Sequence, residues 1–214
     1  WSDLEIGVFW GQLPDPLRRR QVVADLGGAD LRMFEYDALD RHWFDEWWYA
    51  GTAGTGLLIE VVHMTVADAH QLLDILLDGE DVRPGLLTFA AALAYGRPLV
   101  GSTEDLVGRV RDYPRPVATA VVHRHGQIDN YWRWQMYVER QDVPGLRTHF
   151  AGVAGALTHV LCALNGRWWP GSKWQPWVLA DLPVAPEEVT ARLAEVDRLR
   201  PAAAAGALAQ LVEE

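Results

Sequence analysis

The chain of 214 residues carries 29 acidic side chains against 19 basic ones, a formal balance of −10, and half of it is hydrophobic. That length suits one domain with a helical extension or two small domains sharing a cleft, and the acidic balance argues against gripping nucleic acid through its phosphates. One cysteine, Cys162, excludes a disulfide framework and a multi-cysteine zinc site. No apolar run approaches the roughly 18 residues of a membrane span, the N-terminus does not read as a signal peptide, and a cytoplasmic location is expected.

In chain order, the first strand runs from Ser2 to Trp10, with Leu4, Ile6 and Val8 toward a core. The chain opens on Trp1 directly before it, which reads as a fragment whose upstream segment is absent. Pro14 or Pro16 suits the first turn of a helix, which Leu17, Val22, Val23 and Leu26 line on one side until Gly27-Gly28 stops it. Arg18-Arg19-Arg20 on that helix reads as a solvated face. Further strands are expected at Leu31 to Tyr36, Trp43 to Tyr49 and Leu57 to Met64, the last two joined as a hairpin through Gly51 to Gly56. That glycine-rich loop lacks the Lys-Ser/Thr pair of a phosphate loop.

The remainder is helical. Thr65 or Asp68 caps a helix carrying Leu72, Leu73, Leu76 and Leu77. Short helices follow near Leu86 to Ala94 and Thr103 to Arg111, and another over Asp129 to Glu139, where Ile128, Trp132 and Met136 step by four as core. Leu146, Phe150, Val153, Leu157, Leu161 and Leu164 define a long helix that Asn165-Gly166 ends. Val189, Leu193 and Val196 repeat the pattern, and an Ala-built helix follows Pro201. The expected fold class is α+β: a small mixed β-sheet domain over residues 1–80, then a helical domain over 81–214.

Chemistry concentrates in three carboxylates. Side chains at i and i+2 of a strand share a face, about 6.5–7 Å apart along the chain, so Asp3 and Glu5 point the same way and can turn oxygens toward one hard cation such as Mg²⁺. Glu60 sits in Leu57-Leu58-Ile59-Glu60-Val61-Val62, a run that reads as a strand buried on both faces. An unpaired ionised carboxylate there is costly, so the group must be protonated, paired with a cation or bound to metal. Two acids on one strand and a third on another suit metal-assisted phosphoryl or nucleotidyl transfer, the third able to receive the proton of the attacking hydroxyl.

Ser2-Asp3-Leu4-Glu5 before an apolar strand resembles the S-D-x-[DE] signature of the polymerase-β-type nucleotidyltransferase superfamily, in the S-D-x-E form of kanamycin-type aminoglycoside nucleotidyltransferases. Glu60 matches that superfamily's third carboxylate. Leu161-Cys162-Ala163-Leu164-Asn165-Gly166-Arg167-Trp168-Trp169-Pro170-Gly171-Ser172-Lys173-Trp174 is similar to a segment of a little-studied bacterial family in which a nucleotidyltransferase domain precedes a helical one. The resemblance implies a nucleotidyltransferase sheet lacking its upstream part, where a Gly-Ser about ten residues ahead would hold phosphates. It implies Asp3, Glu5 and Glu60 as metal ligands and catalytic groups, with Ser2 and Lys173 binding the nucleotide. The implied reaction is Mg²⁺-dependent transfer of an NMP from an NTP, ATP among the candidates, to a hydroxyl of a small, aminoglycoside-like acceptor, in a monomer or homodimer. The alternative is a catalytically inactive pseudoenzyme that binds a nucleotide or a partner.

Eleven tryptophans supply stacking walls or core packing; a carbohydrate platform would require exposed, coplanar rings and no carboxylate cluster. Lys173 reads alternatively as a stem lying over Trp174 and Trp177. Arg133 and Gln135 are expected off the core face, Cys162 in it, and His123 and His125 as a structural pair with no third metal ligand apparent.

Overall fold

The computed structural model describes residues 3–128 and 133–214. Ser2, Trp1 and Trp132, with the start of the expected 129–139 helix, lie outside the described residues. The chain forms two compact units, Trp1–Asp74 and Ile75–Glu214.

The first unit holds β1 (Leu4–Trp10), α1 (Pro16–Asp25), β2 (Ala29–Met33), β3 (Trp43–Tyr49) and β4 (Leu57–Thr65). The sheet order is β1-β4-β3-β2. β1 runs parallel to β4, while β3 is antiparallel to both β4 and β2. This is the expected small mixed sheet. β2 is shorter than its apolar pattern: the register shifts between Ala29 and Arg32, and Asp37 turns the chain by accepting the amides of Leu39 and Asp40 at 2.8 and 3.0 Å. In the β3–β4 loop a Cβ on Gly51 would lie 2.8 Å from the Gly56 amide nitrogen. Backbone crowding therefore explains the glycines at both ends of that loop.

Asp15 caps α1 by accepting the Leu17 amide at 2.6 Å, with Pro16 in the first turn. The expected apolar face of α1 is not the buried one. Leu17, Val22 and Leu26 are exposed, and Arg19 and Val23 are the buried positions. Val23 joins Trp47, Ile59 and Val61 in a core completed by Ile6, Val8 and Leu31. Residues 19 and 23 share a face because they are one turn apart. Arg19 stands there because the strand face it meets carries Asp45.

Thr65 ends β4 and starts α2 (Val66–Leu77). Its hydroxyl accepts the Asp68 amide at 3.0 Å and donates to the Asp68 carboxylate at 2.6 Å. Leu72, Leu73 and Leu76 are fully buried.

Among its described residues the second unit is helical. It contains α3 (Pro84–Tyr95), α4 (Glu104–Val110), α5 (Arg115–His125), α6 (Trp134–Glu139), α7 (Val143–Leu164), α8 (Gln175–Leu179), α9 (Val189–Val196) and α10 (Pro201–Glu213). α7 packs against α5, α6 and α10. Phe150 and Val153 of α7, Val196 of α9 and Ala204, Ala205 and Leu208 of α10 form one core, with Ile128 and Trp134 against it. Leu164, expected to close the α7 seam, is exposed, because the helix stops at that turn. Gly166 takes φ 62°, its amide bonds the Ala163 carbonyl at 3.2 Å, and the Arg167 amide bonds that of Cys162 at 2.8 Å, a Schellman termination.

Candidate metal centre on the sheet

The parallel pairing of β1 with β4 sets Glu5 opposite Glu60, and strand alternation puts Asp3 on the same face as Glu5. One carboxylate oxygen from each of Asp3, Glu5 and Glu60 lies within 4.8 Å of the other two. Asp3 and Glu60 are half-buried and Glu5 is exposed. Glu60 differs from its sequence reading in burial. Ile59, Val61 and His63 on the opposite face are buried, whereas Leu58, Glu60 and Val62 are partly open. Only one side of β4 meets the α1 core, so solvent reaches the carboxylate.

Three carboxylate oxygens this close can share one cation, whose charge offsets their mutual repulsion. The donor set is all oxygen, with no imidazole or thiolate in the cluster, which fits a hard divalent ion such as Mg²⁺ and not a thiolate-preferring metal.

Glu46 of β3, which the sequence reading passed over, lies opposite Glu60 in the antiparallel register. The strand alternation of Phe44, Glu46 and Trp48 against Trp43, Asp45 and Trp47 was the signal available for it. Arg32 binds Glu46 at 3.0 Å, so an acidic row Glu5–Glu60–Glu46 crosses three strands and ends on a cation.

Beneath that row, on the opposite face, sits a second group missed in sequence. Arg19 is buried rather than solvated, and its Nη1 donates to both Asp45 oxygens at 2.9 Å. His63 Nε2 lies 3.0 Å from Asp45 Oδ2, and Trp10 Nε1 donates to His63 Nδ1 at 3.1 Å. An indole N–H can only donate, so His63 Nδ1 is the bare nitrogen and Nε2 carries the proton toward Asp45. This chain of bonds ties the end of β1 to β4 and α1, which fixes the strand that carries Asp3 and Glu5.

The other candidates lie in the second unit. Lys173 stands exposed in the short 3₁₀ turn Ser172–Trp174. Trp174 and Trp177 are exposed, and Tyr95 meets Trp177 edge-on at 78°, so this pair of rings is not coplanar. Trp168 and Trp169 are core residues, and Trp168 Nε1 donates to the Val110 carbonyl at 2.8 Å. Arg133 and Gln135 are exposed. Burial pushes the Cys162 thiol up to about 12, which leaves it protonated and unreactive. His123 and His125 diverge, since residues two apart on a helix point about 200° apart. His125 instead stacks on His159, rings 4.3 Å apart and 11° from parallel.

The sequence matches no protein-family model and no curated protein. Among solved structures it is similar to a nucleotidyltransferase-like protein from Exiguobacterium sibiricum 255-15, at 11% identity over 91% of this chain and 73% of that one, with a TM-score of 0.44. At that level nothing about activity or site transfers to this chain.

Proposed function

We propose that this protein is a nucleotidyltransferase that moves an NMP from an NTP to a hydroxyl of a small-molecule acceptor, with Asp3, Glu5 and Glu60 at its centre. The observation that carries the reading is the convergence of those three carboxylates, from two strands far apart in sequence, to within 4.8 Å. Asp3 and Glu5 would hold a divalent cation, which would supply neutralisation of the triphosphate's charge. Glu60 takes the proton from the acceptor hydroxyl as its oxygen bonds the α-phosphorus. The bond from that phosphorus to the β-phosphate bridging oxygen breaks, and pyrophosphate leaves with the electron pair. Ser2 and Lys173 are assigned contacts to the phosphates by the resemblance of their segments alone, Lys173 as a compact point charge. The net charge of −10 favours a cationic acceptor, of which an aminoglycoside is one kind.

Thermal shift with each of the four NTPs, with and without Mg²⁺, tests the reading. One nucleotide should raise the melting temperature only when metal is present. Asp3→Asn and Glu5→Gln should each remove that shift and abolish transfer while leaving the far-UV spectrum unchanged. Undiminished transfer in either variant refutes the assignment, and retained nucleotide binding without transfer in the native chain identifies a pseudoenzyme.

A further inference from the structure

A groove of about 780 Å³ runs along α5, walled on its other side by the loop of residues 79–82. That volume lies within the range of small-molecule sites, about 300–1,000 Å³. We propose that this groove binds a small polyanion built on a carbon skeleton, its oxyanion groups held by Arg115 and Arg124. The inference is independent of the reaction assigned to the sheet.

Charge is the first ground. Arg115, His123 and Arg124 line the groove, and Glu80 is its single acidic lining residue. Neither arginine has a carboxylate within ion-pair distance among the described residues. In a chain with ten more acids than bases, a lining with two arginines against one glutamate has a positive balance, opposite in sign to the whole. Arg124, in the last turn of α5, is favoured by the helix dipole, but Arg115 stands in the first turn, where a cation is disfavoured by about 0.3–1 kcal/mol. No acidic residue in that turn offsets it. Helix stability therefore does not account for Arg115, whereas an anion in the groove does.

Shape is the second ground. Val82, Pro116 and Ala120 supply the apolar part of the lining, while Arg115 and Arg124 stand about 13–14 Å apart along α5 and at opposite edges of its groove-lining face. A molecule spanning the groove therefore presents carbon to the middle and oxyanions to the ends. The wall is pre-formed: Gly79 ends α2 in a Schellman turn, with its amide on the Leu76 carbonyl at 2.9 Å and the Glu80 amide on that of Ile75 at 3.1 Å. A Cβ on Gly79 would meet the Pro116 carbonyl oxygen at 2.8 Å, so loop and helix are already in contact. Binding then orders little backbone. The guanidinium fork accepts phosphate and carboxylate alike, so phosphate esters and polycarboxylates are the two sources of this ligand chemistry.

The test uses the whole chain, ¹⁵N-labelled and free of divalent cations, titrated separately with fructose 1,6-bisphosphate and with citrate. Saturable amide shifts confined to residues 79–82 and α5, with a Kd tighter than about 1 mM, are expected for at least one. Response to fructose 1,6-bisphosphate alone assigns phosphate esters, and response to citrate alone assigns polycarboxylates. Arg115→Ala with Arg124→Ala should weaken binding by about tenfold or more, the loss of two charge-assisted contacts. Thr119→Glu, at an exposed position that sets a carboxylate in the groove, should do the same, and Asp3→Asn should leave binding unchanged. The proposal is overturned if neither anion shifts these residues saturably. It is equally overturned if the folded arginine or Thr119→Glu variants bind as the native chain does, or if Asp3→Asn abolishes binding.

Discussion

Asp45 is 1% exposed, and a carboxylate that deep stands only with its partners. Arg19 supplies two hydrogen bonds from one nitrogen and His63 a third contact, which satisfies most of the acceptor sites of an ionised carboxylate. Arg19→Ala is expected to cost about 3–5 kcal/mol, because it strands Asp45 without its cation. Arg19→Met combined with Asp45→Leu should recover most of that loss, since an apolar pair removes the desolvation penalty together with the attraction. Urea midpoints of the single and double variants measure both. The three arginines in a row conceal this in the sequence: composition makes Arg18, Arg19 and Arg20 equivalent, and only the strand facing α1 singles out the middle one. Asp3, Glu5 and Glu60 differ, because alternation within β1 and the apolar setting of β4 mark them before any fold is known.

At the scale of elements, α5 and α7 pack with a stacked histidine pair in their contact. His159 donates Nδ1–H to the Gly155 carbonyl at 2.7 Å, a geometry in which Nε2 is bare. The Nε2 atoms of both His125 and His159 are buried without a hydrogen-bond partner among the described residues. Burial, reinforced by the neighbouring His159, lowers the His125 imidazole to about 4, and burial lowers His159 as well. An unfolded chain takes up these protons near the ordinary value of about 6.5, so it binds more protons than the folded state just below that pH. The associated stability is complete above about pH 6.5 and is lost as pH falls through about 4. The difference in urea midpoint between the native chain and His125→Phe, followed from pH 7 to pH 4, should therefore change in favour of the variant on acidification. An unchanging difference removes the stacked pair as the cause. α5 was not delimited from the sequence because its buried seam is a single pair, Val117 and Val121; α7, with a seam of six, was.

For the whole molecule, 29 acids against 19 bases set a repulsive field for polyanions beyond the reach of any single groove. At about 150 mM salt, where the Debye length is about 8 Å, duplex DNA should not be retained by the protein in a gel-shift series. Retention that weakens steeply with added salt would show a phosphate-gripping face. Small anions differ from DNA in this respect, because they can sit within the local field of Arg115 and Arg124 without meeting the rest of the surface.

The α+β class, the strand Trp43–Tyr49, the next strand from Leu57 to within one residue of its end at Thr65, the course of α7 and its stop at Asn165-Gly166 were all legible in the residues. Alternation, helical spacing and capping are local properties that neighbours along the chain encode. Three carboxylates were likewise legible as candidates. Their meeting was implied by family resemblance alone, because it depends on β1 lying parallel beside β4 with Glu5 opposite Glu60, a pairing across 55 positions that no local pattern specifies. The burial of Arg19, the partial opening of Glu60 and the stacking of His125 on His159 belong to the same category. Each is decided by which face another element covers, and that is fixed only when the chain closes on itself.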